Sequence, residues 1–206
     1  MFSISLNPTY LCNFRCDFCY LTDGQLADSK KISLKKFEEM LSSICEIKNV
    51  THIDLYGGEI HLLPNEYLEE MHSIIRTHTL EQVNVVTNLS KIKDYFLRDD
   101  VSLSVSYDFE CRQDHAKVLA NILTLPKDVA ILMLASPQLM EKNVQEMASV
   151  FNSVANIGSV EIKPYSTNQA NQFDIDYRDY EKFVTDWIDV KDKHFQFMNE
   201  THIQES

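Results

Sequence analysis

Residues 2–20 read FSISLNPTYLCNFRCDFCY, a short aliphatic and β-branched run that is followed directly by three cysteines. The run at residues 2–6 has the length and composition of a β-strand, and the cysteines occupy the loop behind it. In a parallel sheet such a loop lies at the carboxyl edge, where α/β proteins build their functional sites. The stretch therefore predicts a functional site close to the start of the chain.

Five more runs of strand composition follow this first one, and longer amphipathic segments separate them. The runs are residues 52–56, 83–87, 101–107, 129–134 and 160–163. Strands and helices in strict alternation predict parallel strands that are joined by right-handed crossovers. Six units of about 30 residues fit a partial barrel, whereas a closed eight-unit barrel needs about 250 residues. The predicted fold class is therefore α/β, a partial open (β/α)6 TIM-like barrel, with a doubly wound sheet as the alternative.

The predicted helices carry their apolar residues at helical spacing. The first begins behind Ser33, which is placed as its N-cap, and the second follows Pro64 and Asn65. Further helices are predicted around residues 92–96 and 118–123, over residues 139–154 and over about residues 177–190. Residues 1–206 are predicted to form a single domain with a short C-terminal tail after the last helix.

The composition is that of an ordinary globular protein, with 44% hydrophobic and 24% charged residues. The longest uninterrupted apolar run, residues 129–135, is far shorter than a membrane span. Nineteen Lys and Arg against 31 Asp and Glu give a net charge of −12, which repels a phosphate backbone. We therefore expect neither a membrane nor a nucleic acid as a partner. The absence of a visible secretory signal and the odd number of cysteines predict a cytoplasmic protein.

The clustered cysteines, Cys12, Cys16 and Cys19, have the spacing C-x3-C-x2-C. Thiolate ligands select zinc, copper(I) or iron–sulfur clusters. A structural zinc site takes four ligands that usually arrive as two pairs, and the remaining cysteines, Cys45 and Cys111, are isolated. Three thiolates in one loop suit an iron–sulfur cube with one open corner. Structural zinc, or a role as small buried apolar residues, is the alternative.

This cysteine loop resembles that of the radical S-adenosylmethionine (radical SAM) enzymes, with aromatic Phe18 just before the third cysteine. The resemblance is strengthened by residues 56–59, Tyr-Gly-Gly-Glu, at the end of the second predicted strand, where that family carries a Gly-Gly-Glu turn. Six β-α units also match the family's minimal core. The resemblance covers about residues 2–190.

The resemblance implies an iron-containing metal site, a [4Fe–4S] cluster held by Cys12, Cys16 and Cys19, with SAM bound to it. It implies an enzyme in which the cluster reductively cleaves SAM to a 5′-deoxyadenosyl radical that abstracts hydrogen from a substrate. A one-electron donor such as flavodoxin or ferredoxin is the implied redox partner. Because no second set of cysteines follows the sixth predicted strand, we expect one cluster only.

Nine residues are predicted to bind SAM. The paired glycines allow close approach of backbone to a ligand because they have no Cβ, and Glu59 is predicted to hold their turn. Phe18 resembles the position whose backbone contacts the adenine. Polar side chains at strand ends suit hydrogen bonds to the ribose or the SAM carboxylate, and period two places Ser104 on the same face as the strand-four candidates. The set is Phe18, Gly57, Gly58, Glu59, Thr87, Asn88, Ser106, Asp108 and Lys163.

Some of these residues have a simpler interpretation. Glu59 suits a solvated loop carboxylate, and the Ser and Asp residues suit ordinary turn formers. Lys163 suits a surface lysine. His61 stands where many relatives have proline, and we expect it to be solvated rather than in contact with a substrate.

The substrate is predicted to be a peptide or protein. The cysteine loop, with Tyr20 behind its last cysteine, most resembles the loop of radical SAM enzymes that modify ribosomally made peptides. A six-unit barrel is open at its side, so a large substrate can cap its mouth, and the acidic balance favours a neutral or basic substrate. A small metabolite or nucleotide derivative is the alternative, and a non-enzymatic metal-binding interaction module is the alternative of a different class.

Overall fold

The computed structural model describes residues 2–78, 82–165 and 176–204. The strands are β1 (Phe2–Leu6), β2 (Val50–Leu55), β3 (Val83–Thr87), β4 (Val101–Ser106), β5 (Val129–Leu134), β6 (Ile157–Lys163) and β7 (Gln196–Phe197). They form one sheet in chain order. The pairs β1 with β2, β2 with β3, β5 with β6, and β6 with β7 are parallel.

The α/β class with parallel strands in sequential order is confirmed, and all of the strand predictions correspond to observed strands. The bounds of β1, β3 and β5 are the predicted ones, because all three segments are rich in β-branched or aliphatic residues and end close to turn-forming or polar residues. The short β7 is additional: six strands are predicted, and the described part of the chain has seven.

Helices lie between most of the strands and after the last one. They are α1 (Asp23–Leu26), α2 (Leu34–Cys45), α3 (Asn65–His78), α4 (His115–Thr124), α5 (Pro137–Met140), α6 (Val144–Asn152), α7 (Tyr177–Ile188) and α8 (Met198–Gln204). Ser33 caps α2 as predicted, because its hydroxyl accepts a hydrogen bond from the Lys36 N–H.

Two helix predictions were wrong in detail. The helix expected around residues 92–96 is a single 3-10 turn at Asp94–Leu97, because β4 begins only four residues later and leaves no room for more. The helix expected over residues 139–154 is divided into α5 and α6. Asn143 interrupts it with an extended backbone and caps α6 by accepting from the Glu146 N–H.

The segment after α7, predicted as a tail, contains β7 and α8. Hydrogen bonds join α8 to β6 of the sheet. The Asn199 side chain accepts from the Ile162 N–H at 2.8 Å and donates to the Ile162 carbonyl at 2.8 Å. It thereby satisfies both backbone polar groups of one residue of β6, as a neighbouring strand would.

The chain divides into two compact units. Unit 1 consists of residues 1–15 and 21–104, and unit 2 of residues 16–20 and 105–206. In unit 1 the buried residues of β2 and β3 alternate with polar ones, so that one face of these strands is apolar and the other carries Asp54 and Asn84. The core of unit 2 contains an aromatic cluster of Phe151, Trp187, Phe195 and Phe197. The single domain stays a prediction.

No helix in the described ranges is both long and apolar enough to cross a membrane.

Candidate functional site

In unit 1 hydrogen bonds from backbone and side-chain groups hold the segment around Cys12. The Cys12 N–H donates to the Leu26 carbonyl at 3.0 Å, and the Cys12 Sγ accepts from the Phe14 N–H at 3.4 Å. The Arg15 guanidinium donates to the carbonyl oxygens of Cys12 and Phe14, both at 2.8 Å. These contacts fix the backbone around Cys12.

The Gly57–Gly58 turn lies directly against this segment. The Gly58 N–H donates to the Thr9 carbonyl at 2.9 Å, and the Glu59 N–H donates to the Leu11 carbonyl at 2.7 Å. A Cβ at Gly58 would lie 2.2 Å from the Leu11 oxygen, and one at Gly57 would lie 2.6 Å from the Thr9 oxygen. Gly57 also has a φ of +147°, which side-chain-bearing residues rarely adopt. The neighbour that requires the glycines in this structure is thus the backbone of the cysteine loop.

Glu59 is buried, with 1% of its surface exposed, so the interpretation as a solvated carboxylate was wrong. One carboxylate oxygen accepts from the His61 N–H at 3.0 Å and from the Thr87 hydroxyl at 2.5 Å. The other oxygen accepts from the Asn88 N–H at 2.6 Å. Glu59 therefore ties its own turn to the end of β3, in agreement with the role in the turn predicted for it.

The loop behind β3 connects in turn to the cysteine loop. The Asn88 side-chain amide donates to Asn13 Oδ1 at 3.0 Å, and the Asn13 amide donates to Ser90 Oγ at 2.9 Å. Leu89 has a φ of 48° within this loop, an unfavourable conformation for a residue with a branched side chain. Thr87 and Asn88 are buried and hold loops together, and their predicted contact with SAM stays a prediction.

His61 is 7% exposed, so the expectation of a solvated histidine was also wrong. Its Nδ1 lies 3.0 Å from a Glu59 oxygen without the alignment of a hydrogen bond. Among the residues that the structure describes, no hydrogen-bond partner meets this nitrogen.

In unit 2 the other two cysteines share a turn, in which the Cys19 N–H donates to the Cys16 carbonyl at 2.9 Å. Phe18 lies between these two cysteines in the sequence, and its side chain is buried. The Arg112 guanidinium lies 5.1 Å from the centre of the Phe18 ring. The Arg112 Nη1 lies 3.6 Å from Cys16 Sγ, within reach of an N–H···S hydrogen bond.

Asp108 has no exposed surface, and both of its carboxylate oxygens are engaged. One accepts from the Leu134 N–H at 2.6 Å, and the other from Arg112 Nε at 2.7 Å. Sequence reasoning singled out Asp108 as a SAM ligand and missed Arg112, although the spacing of four residues between opposite charges could have suggested the pair. The predicted role of Asp108 at SAM stays a prediction.

The remaining candidates are less constrained. Ser104 donates to Asn84 Oδ1 at 3.1 Å, which places it beside the polar face that carries Asp54 and Asn84 in unit 1. Ser106 is half-buried at the end of β4. The Lys163 side chain is 53% exposed and pairs with Glu161, as the surface-lysine interpretation expects.

The chemistry of the cysteine side chains fits an iron–sulfur cluster, although these side chains are not arranged as a complete metal site. All five cysteines are thiols rather than halves of a disulfide, and burial raises the pKa of Cys45 and of Cys111, which makes both poor thiolates. Cys12 and Cys16 each receive an N–H at the sulfur, the kind of contact that sulfur ligands of a cluster accept. Within the described ranges no group of three or more His, Cys, Asp or Glu side chains is arranged as a metal site.

No protein-family model matches the sequence. A GTP 3′,8-cyclase of Actinobacillus pleuropneumoniae is 28% identical over 88 residues, which are 41% of this chain and 25% of the cyclase.

Solved structures of radical SAM enzymes share the fold. A radical SAM methyltransferase from Sphaerobacter thermophilus matches with a TM-score of 0.74 and 14% identity, over 95% of this chain and 64% of its own. Native anSMEcpe with bound AdoMet matches with a TM-score of 0.71 and 16% identity, over 91% of this chain and 60% of its own. Streptococcus suis SuiB bound to precursor peptide SuiA matches with a TM-score of 0.70 and 17% identity, over 95% of this chain and 48% of its own.

The chain thus has the fold of a radical SAM core, and it spans about half to two thirds of the solved chains that it matches.

Proposed function

We propose that this chain is the core of a radical SAM enzyme, in which Cys12, Cys16 and Cys19 hold a [4Fe–4S] cluster and SAM binds beside it. The observation that carries the proposal is the junction of the Gly-Gly-Glu turn with the cysteine loop. The N–H groups of Gly58 and Glu59 donate to carbonyls of that loop, so that two motifs separated in sequence form one structure. The likeness to radical SAM structures supports the same assignment.

When bound, the cluster and SAM would supply the radical chemistry that removes a hydrogen atom from the substrate. The protein's own residues hold and orient these groups. Two N–H groups of the glycine turn are already used by the cysteine loop, so we assign the carbonyl oxygens of this turn to the SAM ammonium, which needs acceptors. Glu59 keeps those carbonyls in place through its bonds to Thr87 and Asn88.

We further propose a peptide or protein substrate. The structure of SuiB holds a precursor peptide, and the likeness to SuiB covers 95% of this chain and 48% of SuiB. The net charge of −12 favours a basic peptide. In unit 1, Asp54 offers a carboxylate on the polar face of the strands, where it accepts from Asn84 at 2.7 Å. A one-electron donor such as flavodoxin or ferredoxin, and a cytoplasmic location, belong to the same proposal.

A nucleotide derivative is the second candidate substrate, because the sequence relative acts as a GTP 3′,8-cyclase. The charge of the chain opposes it, since an acidic protein repels a polyphosphate unless it provides a local basic pocket.

The cluster is tested by anaerobic reconstitution with iron and sulfide, followed by EPR of the reduced protein with and without SAM. We expect a [4Fe–4S] signal that SAM alters, together with formation of 5′-deoxyadenosine. Substitution of Cys12, Cys16 or Cys19 by Ala should abolish both, whereas C45A and C111A serve as matched controls that keep them. One tightly bound zinc without iron would contradict the proposal and favour an interaction module.

The substrate is tested by deuterium transfer into 5′-deoxyadenosine from perdeuterated candidates. We expect label from a lysine-containing peptide. Label that arises only from a nucleotide or another free metabolite would reject the peptide while leaving the radical chemistry intact.

A further inference from the structure

We propose that Arg112 is a positioning residue for the Cys16 thiolate, and that its charge makes the reduction potential of a cluster bound there less negative. The inference rests on the proposed function, because it concerns the cluster that Cys16 is proposed to hold. It assigns a role to a residue that lies outside both sequence motifs.

The guanidinium is held in one orientation by a buried partner. Asp108 is fully buried and anchored by the Leu134 N–H at 2.6 Å, and it accepts from Arg112 Nε at 2.7 Å. The Arg112 side chain is itself only 14% exposed. With Nε and Nη2 directed at the carboxylate, the planar fork presents Nη1 elsewhere, and that nitrogen lies 3.6 Å from Cys16 Sγ.

The backbone between the two charged residues is strained in a way that brings them together. Phe109 has a φ of 51°, a left-handed conformation that is costly for an aromatic residue. It opens the 3-10 turn Phe109–Cys111, which separates Asp108 from Arg112. The Phe18 ring, 5.1 Å from the guanidinium, supports the fork from the side of the cysteine turn. A turn kept at a conformational cost indicates a functional constraint on the residues that it positions.

The effect on the cluster follows from charge. A guanidinium remains protonated at every accessible pH, and a hydrogen bond from it to a thiolate is charge-assisted. Reduction adds one negative charge to the cluster, so a fixed cation at one of its sulfur ligands stabilises the reduced form more than the oxidised form. Asp108 weakens this effect but does not cancel it, because the guanidinium lies between the carboxylate and the sulfur.

The test is a redox titration of the reconstituted protein with mediators, in which the reduced cluster is followed by EPR. In R112Q the reduction equilibrium should shift at least about tenfold toward the oxidised form, which is about 59 mV for a one-electron couple. R112K should fall between R112Q and wild type, because an ammonium keeps the charge but cannot serve Asp108 and Cys16 as a planar fork. R178Q is the matched control, since Arg178 pairs with Asp176 on an exposed helix start and should leave the potential unchanged.

A single R112Q change leaves the buried Asp108 carboxylate without its cation and can prevent folding. The double variant D108N/R112Q removes both charges together and keeps an acceptor for the Leu134 N–H. It should fold, bind iron and titrate at a more negative potential than wild type, by less than R112Q does.

The outcomes separate this inference from the proposed function. A wild-type protein that forms no SAM-responsive [4Fe–4S] cluster rejects both. A wild-type cluster that is SAM-responsive, combined with an unchanged potential in R112Q, R112K and the double variant, rejects the role of Arg112 alone. Weaker SAM binding at an unchanged potential rejects it as well, because the guanidinium would then serve the cofactor and not Cys16.

Discussion

Gly57 and Gly58 allow a close contact between their turn and the cysteine loop, and the sequence around them does not reveal this contact. The pair was expected to admit a ligand, and the atoms nearest to a Cβ at either position are backbone oxygens of residues 9–11. The glycines therefore set the distance between the turn and the loop that carries Cys12.

Substitution of Gly58 by Ala should destabilise the protein by about 3 kcal/mol or more, because the new methyl group would overlap backbone atoms that cannot move aside. The free energy of unfolding in urea measures the loss. G24A is the matched control: its Cβ would meet only Thr22 Oγ1 at 4.0 Å, and a helical Gly-to-Ala change is neutral or stabilising by up to about 1 kcal/mol. Equal stabilities of G58A and G24A would contradict the close approach.

At the scale of elements, the Lys193 side chain caps the C-terminal end of α7. The Lys193 ammonium donates to the carbonyls of Trp187, Ile188 and Val190 at 2.9, 2.8 and 2.9 Å. Carbonyls at a helix C-terminus have no partner within the helix, and a cation there also interacts favourably with the helix dipole.

The variant K193M keeps the aliphatic stem but removes all three donors. We expect it to lower the free energy of unfolding by about 1–2 kcal/mol. K191M, at an exposed position two residues away, should be neutral within about 0.5 kcal/mol. If the two variants unfold at the same urea concentration, Lys193 does not cap the helix.

A second cluster joins α3 to the start of β4. The His72 side chain contacts the Tyr95 hydroxyl at 3.0 Å and Asp100 at 2.9 Å, and Asp100 also accepts from Arg98 Nε at 2.9 Å. The hydrogen bond from Arg98, followed by the one from His72, holds the pKa of the Asp100 carboxyl well below its usual range.

A depressed pKa in the folded state means that the unfolded chain binds more protons in acid. The contribution of Asp100 to stability is therefore present above the ordinary carboxyl pKa and is lost as the pH falls below it. In D100N the free energy of unfolding should change less between about pH 5 and pH 2 than in wild type. D99N, which removes an exposed neighbouring carboxylate, should keep the wild-type slope. Parallel curves for D100N and wild type would argue against the cluster as an acid-sensitive contact.

At the scale of the whole molecule, the net charge of −12 bears on the choice of substrate. The attraction between an acidic protein and a basic peptide is screened by salt, with a Debye length that falls from about 10 Å at 0.1 M to about 3 Å at 1 M. Binding of a lysine-rich peptide should therefore weaken severalfold over this range. A peptide of the same length with its lysines replaced by glutamine should show little dependence on salt in the same calorimetric titration. Equal salt dependence of the two peptides would remove charge as an argument for a basic substrate.

The sequence by itself determined the class of the fold, and it predicts where along the chain the chemistry lies. Strand composition located β1, β3 and β5 to the residue, because a short run rich in β-branched and aliphatic residues favours an extended local backbone. The cysteine spacing and the Gly-Gly-Glu turn were visible for the same reason, since each lies within a few consecutive residues. Predictions that depended on helix length failed where a capping residue or the start of the next strand ended the helix early.

Only the tertiary structure decided which distant residues meet. Arg112 reaches Cys16 across 96 positions, Glu59 reaches Thr87 across 28, and Asn199 reaches Ile162 across 37. Periodicity carries no information about such pairs, because they form only when elements that are far apart in sequence pack together. Burial also depends on tertiary packing. Glu59 and His61 have the polarity of surface residues, and the packing of their neighbours places them in the interior.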